Sequence, residues 1–493
     1  MLKKYIILSK KLILNIENGD FMFNYKINKI LENINKKYHN APDITYRTIN
    51  IKNNKIVLVF NQSLCDSDKI NKYILFNLTN KFNNIKDIIN ILPCDKLLTI
   101  NKNQIFEYIP NGFTIILTNK DIYAVETKAN LYRSVSEPTT EKTINGPKDS
   151  FNENYMTTIG LIRKRIKSSN LVFSEKTIGK ESKTKVGFFY MSNITESDMV
   201  STLNEKLDSI DIDGIFDINY IRQYIDSDNS MFPLYETTER PDLACMAILE
   251  GKIVIICENS PYVLIIPTFL TDLFHTPEDN YGKSKNVTAS RIIRILAFII
   301  AILLPGFYIA ITTYNHETIP ITLIVSFAAQ RDGVPFPSIV EGFIMALIFE
   351  VLRESDIRMP NESGNAISIL GAIVLGDAAV TAGIVSPIML IIIAISAICG
   401  LAFSHIAVIN AIRFWRIIFM ISATILGMPG LIFCFFFFII TLCSLKSFGK
   451  PYLYPCAPIN IKMLTNSIFK KDLKKDNKRN PLLTDSNYIR SKQ

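Results

Sequence analysis

Carboxylates and guanidiniums gather in an unexpected place in this 493-residue chain. Between Pro335 and Gly400 the sequence carries Glu341, Glu350, Arg353, Glu354, Asp356, Arg358, Glu362 and Asp377 beside or inside runs apolar enough for lipid. A charged side chain at bilayer depth costs about 2.5 kcal/mol or more, so such residues are rare there and usually have a partner or a task. Acid–base catalysis is a poor fit. Glu341 and Glu350 are nine residues apart, about 13 Å along a helix, too far to flank one glycosidic bond. Ion pairing fits better, because Glu350 and Arg353 are three apart and share a helix face. A helix this charged is expected at an interface or inside an assembly. There it could couple a soluble domain or partner to the Gly-rich segment that follows.

A second constellation is Glu239-Arg240-Pro241-Asp242. Proline suits the first turn of a helix, and an aspartate there favours its positive end. The group reads either as a cap with a local ion pair or as a contact between subunits, or between soluble and membrane parts.

Other chemistry lacks its motifs. The chain has no G-x-x-x-x-G-K-[ST], no H-E-x-x-H and no G-x-S-x-G, and its four histidines are isolated. Its eight cysteines include no C-x-x-C pair, which supports neither a zinc site nor a disulfide framework. No catalytic residue, cofactor or metal is expected. The charged groups are expected to couple or to line a path.

The elements that position them divide the chain in two. Residues 1–290 are rich in Lys, Asn, Asp and Ile, whereas 291–445 contain no Lys and are dominated by Ile, Leu, Phe, Ala and Gly. The fold class read from this split is an α/β soluble N-terminal region of two subdomains, followed by an α-helical multi-pass membrane domain. Residues 1–40 read as a helical lead-in with a cytosolic terminus, 41–132 as a first α/β subdomain and 133–184 as linker and helix. Residues 185–290 read as a second α/β subdomain, 291–445 as the membrane domain and 446–493 as a basic cytosolic tail.

"KIVLVF" (55–60), "GFTIILT" (112–118), "KVGFFYM" (185–191), "KIVIICE" (252–258) and "YVLIIPT" (262–268) read as strands. Residues 68–82, 150–168 and 197–209 have helical spacing. The cations Arg163, Lys164, Arg165 and Lys167 read as a solvated face.

Ile292 to Thr313 is long enough to cross a bilayer. Residues 417–443 are either one span or a hairpin at Gly427-Met428-Pro429-Gly430. The positive-inside rule puts the N-terminal region and the basic tail on the cytoplasmic side, giving an even number of crossings, about four. Arg413 and Arg416 fit that scheme poorly. Gly364, Ser368, Gly371, Ala372, Leu375 and Ala379 recur at largely helical spacing, with Asp377 beside them. Such a face suits close packing around a pore. The basic tail lacks aromatic interleaving, and no nucleic acid is expected.

Ordered blocks carry a resemblance. "SEPTTEKTINGPKDSFNENYMTTIGLIRKRIKS", "YETTERPDLACMAILEGKIVIICENSPYVLIIP", "DLFHTPEDNYG", "PFPSIVEGFIMALIFEVLRESDIRMP", "AISILGAIVLGDAAVTAGIVSP" and "SLKSFGKPYLYPCAP" span about 135 to 458. The chain resembles the A subunit of GerA-type nutrient germinant receptors of endospore-forming bacteria. The resemblance implies a multi-pass protein of the spore inner membrane, with N- and C-terminal regions on the core side. Its implied partners are a transporter-like B subunit, a lipoprotein C subunit and further A subunits, together conducting ions on nutrient binding. A paralogue of the same architecture, acting with the dipicolinate-release channel, is the alternative. Asp377 stands where the family usually has Gln.

Overall fold

The computed structural model describes residues 21–490 except 52–53, 82–91, 93–96, 119–120, 132–137, 139–140, 142, 227–229, 359–375, 473, 475–476 and 486. Strands β1 (Ile44–Ile51), β2 (Asn54–Asn61), β3 (Leu97–Ile100), β4 (Phe113–Leu117) and β5 (Ile122–Glu126) form an antiparallel sheet in the order β1-β2-β4-β5-β3. The unbroken apolar run in "KIVLVF" suits the interior place of β2, between β1 and β4. Val57 and Val59 face one side and pack under helix α1 (Phe21–Lys37), through Ile27, Ile30 and Ile34. Ile56 and Leu58 face the other, under the helical run Ser67–Lys69, Ile70–Leu75 and Phe76–Lys81 (α2), which supplies Ile70, Ile74 and Leu78. A strand covered on both faces has no polar side to show.

The second sheet repeats the first. Strands β6 (Leu171–Ile178), β7 (Thr184–Met191), β8 (Glu236–Thr238), β9 (Ile253–Cys257) and β10 (Val263–Ile266) run in the order β6-β7-β9-β10-β8. Helices α3 (Tyr155–Arg165) and α6 (Pro241–Glu250) cover one face. Helices α4 (Ser197–Asp208) and α5 (Ile218–Ile225) cover the other.

Several expectations change. Strand β6 lies inside the stretch read as linker and helix, and the helix there is only Tyr155–Arg165. Its cations do not all lie on a solvated face: Lys167 is exposed, but Arg163 is 4% exposed and grips Asp43 of the first unit through two hydrogen bonds of 2.9 Å. Arg165 pairs with Asp149. The tail is not merely trailing, since Tyr454 and Leu483 are buried in the core beneath β9 and β10.

The apolar half comprises α7 (Ser284–Thr313), α8 (Ile321–Arg331), α9 (Ser338–Arg358), α10 (Pro387–Gly400) and α11 (Ile406–Ser444), followed by α12 (Ile461–Ile468) in the tail. Among the described helices, α7 and α11 are long and apolar enough to cross a membrane. Of the two readings left open for 417–443, the hairpin is found. Gly427 has φ +63° and ψ −141°, outside the helical region. Ser422 Oγ donates to the Gly430 carbonyl at 2.6 Å, and the Trp415 and Phe438 rings lie 4.7 Å apart. In a straight helix the latter pair would be about 34 Å apart. The two limbs therefore run antiparallel.

The near end of this bundle meets the second sheet, where Phe232 packs on Phe298 and Phe438. The far end is marked by Tyr314, whose hydroxyl donates to the Thr424 carbonyl at 2.7 Å. Outward-facing Ile293, Leu347, Ile398 and Phe433 are each more than 60% exposed. An apolar exterior this extensive belongs against lipid or another chain.

Candidate functional site

Polar groups form three linked stations from the second sheet into the helices. At the first, Arg240 is fully buried at the start of α6. Its Nε and Nη2 donate to Asp242 at 3.1 and 2.9 Å, and its remaining donors reach the carbonyls of Glu141 and Pro147 and the Thr143 hydroxyl. A rigid guanidinium fork suits this many acceptors, and Lys would not. The segment 141–147 is thus tied to α6. Glu239 is buried as well, and its carboxylate accepts from the Glu141 backbone at 3.0 Å. Burial pushes the Glu141 carboxyl up to about 7, against the opposing Thr238 hydrogen bond.

Tyr281 joins this station to the next. Its hydroxyl donates to Asp242 Oδ2, and its ring lies where a side chain on Gly146 would be. Two residues before it, Asp279 closes a capping box with Thr276. Arg294 of α7 binds both carboxylate oxygens of Asp279 at 2.8 Å, and Arg291 Nε donates to Oδ2 at 3.2 Å. Burial disfavours the charge on Asp279, but the two guanidiniums outweigh it and hold the carboxyl below its usual range. His275 sits against Arg291 and the tail. Burial, with the Arg291 charge beside it, pushes His275 down to about 4. Its Nε2 lies 3.0 Å from the Ser467 carbonyl, so the neutral ring must carry its proton there.

The third station lies within the bundle. Glu350 on α9 receives Arg353 at 3.3 Å, Arg416 at 3.8 Å and a hydrogen bond from Arg413. Arg416 also donates to Ser396 Oγ at 3.3 Å, and that hydroxyl donates to the Ala301 carbonyl at 2.7 Å. One carboxylate thereby connects α9 with the first limb of α11, and Arg416 extends the contact to α10 and α7. Glu341, with no exposed side chain, lies nearer the far end. It accepts from the Ser386 backbone at 2.8 Å and faces Arg331 at 3.4 Å. Ser386 caps α10, so this carboxylate also meets the positive end of that helix.

Glu239, Arg240 and Asp242 therefore stand at one station, and Glu350 and Arg353 at another, with Glu354 exposed on α9. Glu341 is separate from both. Of the small-residue face, Ala379 is buried and Asp377 exposed, while Gly364, Ser368, Gly371, Ala372 and Leu375 lie outside the described residues. The clamp of Asp279 with Arg291 and Arg294 was not anticipated. Their i, i+3 spacing on one helix, after an acidic "TPED", was the available signal. Arg413 and Arg416 were the misfits of a simple span scheme, and Glu350 is what they meet.

The family model described as Bacillus/Clostridium GerA spore germination protein matches residues 32–482. Spore germination protein KA of Bacillus subtilis is 38% identical over 365 residues, 74% of this chain and 67% of the relative. Spore germination protein GerLA of Bacillus cereus is 33% identical, over 87% of this chain and 90% of its own length. The crystal structure of the N-terminal domain of the A subunit of the Bacillus megaterium spore germinant receptor GerK3 shares 25% identity. It covers 49% of this chain and 94% of that one, with a TM-score of 0.38.

Proposed function

We propose that this chain, which belongs to the Bacillus/Clostridium GerA spore germination protein family, is the A subunit of a nutrient germinant receptor. In this reading the apolar helices cross the spore inner membrane several times. The α/β units and the tail lie on the core side. A transporter-like B subunit and a lipoprotein C subunit complete the receptor, and A subunits assemble around an ion-conducting path. The face bearing Gly364, Ser368, Gly371, Ala372, Leu375 and Ala379, with Asp377 near it, borders that path.

The observation that carries the reading is the succession of polar contacts from the buried Arg240–Asp242 pair through the Tyr281 hydroxyl to the Asp279 clamp on α7, two residues along the chain. Rigid contacts of this kind suit a protein whose outer part must move its helices. Glu350, joined to three arginines on two helices, is placed to pass such a movement across the bundle.

Affinity purification of the chain from spores tests the assignment. Recovery of a transporter-like protein and a lipoprotein, with loss of nutrient-triggered ion release in spores lacking the chain, is the expected result. Recovery of dipicolinate-channel proteins instead would move the chain to the paralogous role.

A further inference from the structure

Helix α12 is held beside the first turns of α7. Arg291 donates to the Asn466 and Ser467 carbonyls at 3.4 and 2.9 Å, and Met463 packs inward on the core of the second sheet. The outward side does not look like a water-facing helix. Ile459, Ile461 and Phe469 are 76, 71 and 53% exposed, with exposed Lys462 and Lys471 among them. This surface lies level with a boundary on α7. Immediately after Arg291, the residues Ile292, Ile293 and Leu296 are 39, 64 and 52% exposed, so the apolar exterior of the bundle begins where α12 sits.

We propose that residues 459–471 dock on an anionic phospholipid surface. Ile459, Ile461 and Phe469 enter the headgroup layer, and Lys462 and Lys471 meet its phosphates. The inference rests on the membrane reading above. Apolar side chains interleaved with lysines are the composition of interfacial helices, which gain from apolar burial and from attraction to anionic lipid. A protein partner fits less well, because the buried centre of such an interface is depleted in lysine. The charge continues beyond the helix: Ser467 to Asn480 holds six cations and two carboxylates.

The test is photo-cross-linking of the full chain in vesicles of equal phosphatidylglycerol and phosphatidylcholine. Photo-reactive p-benzoylphenylalanine is placed in turn at Ile461, Phe469, Ile293 on α7 and Phe216, an exposed residue on the second α/β unit. Lipid adducts at Ile461 and Phe469 well above those at Phe216 are expected, with phosphatidylglycerol over-represented. Lys462→Gln should reduce that over-representation about five-fold. Adducts at Ile293 without adducts at Ile461 would overturn the proposal and leave the membrane reading standing. Absence at both would overturn both. Cross-links from Ile461 to a second copy of the chain or to another protein would also overturn it, as would adducts in the bulk lipid ratio.

Discussion

The Tyr281 hydroxyl donates to Asp242 Oδ2 at 2.5 Å, across 39 residues of sequence. It joins the first turn of α6 to the short segment that leads into α7, and the ring covers Gly146 on the way. Three pieces of chain with no sequence proximity meet at this one side chain.

Removing the hydroxyl should cost less than removing the room for the ring. Tyr281→Phe forfeits one hydrogen bond to a charged acceptor, about 1.5–3 kcal/mol. Gly146→Ala puts a Cβ 2.7 Å from the ring at a φ of +123°, where side chains are disfavoured. The thermal midpoint of the full chain in detergent should fall further for Gly146→Ala. The reverse order would remove the ring from this account.

The Asp43–Arg163 pair binds the two sheet units together from buried positions. Asp43→Asn leaves a guanidinium underground without its charge partner and should cost about 3–5 kcal/mol. The exposed pair Lys180–Asp211 is the control; breaking it should change stability by no more than about 1 kcal/mol. Equal effects in denaturant melts would mean that the buried pair is not special.

Within the bundle, the arginines share one acceptor unequally. Glu350→Gln takes the carboxylate from Arg353, Arg413 and Arg416 together and should lower receptor abundance in spores. Arg353→Gln leaves the other two in place and should be milder. Both variants and the double are scored for abundance and for nutrient-triggered ion release. Release that changes while protein persists, with a double that departs from the sum, assigns the pair to gating. Release that tracks abundance assigns it to structure.

Two half-buried groups tilt stability with pH in opposite directions. Glu141 is pushed up to about 7 by burial, from an ordinary 4.5. The folded state therefore keeps a proton that the unfolded chain has lost, and the stabilisation present below pH 4.5 declines as pH rises through about 7. His275, lowered by burial from an ordinary 6.5 to about 4, does the opposite. Its stabilisation is present above pH 6.5 and is lost as pH falls toward 4. Glu141→Gln should flatten the melting profile chiefly between pH 4.5 and 7, and His275→Gln chiefly between 4 and 6.5. Unchanged slopes in both variants would show that neither group titrates as its surroundings imply.

Strands were legible where burial was two-sided, as in Val57–Val59 and Ile253–Cys257, because no polar alternation was needed. Strand β6, "LVFSEKTI", was missed because its far half is partly open to water and reads as a loop. The repeated strand order escaped notice for a related reason: pairing order is set by which strands meet, and local pattern does not record it. The charged residues were legible as residues in need of partners. Their partners were not, since Arg413 lies 63 residues from Glu350 and Asp43 lies 120 from Arg163. The exceptions were local: Glu350 with Arg353, three apart on α9, and Arg240 with Asp242, two apart at the start of α6.

The bundle leaves and rejoins the α/β unit at separate places. It departs through the Asp279 clamp, and it returns where the Tyr452 backbone donates to Leu445 and accepts from Leu270 and where Ser447 donates to the Leu234 carbonyl. A body pinned at one point can swivel in any direction. Pinned at two, it keeps a single easy rotation, about the line through the pins. Phe232, packed on Phe298 and Phe438, is a further contact that resists even that rotation, so a displacement of the outer unit would load α7 and the second limb of α11 together.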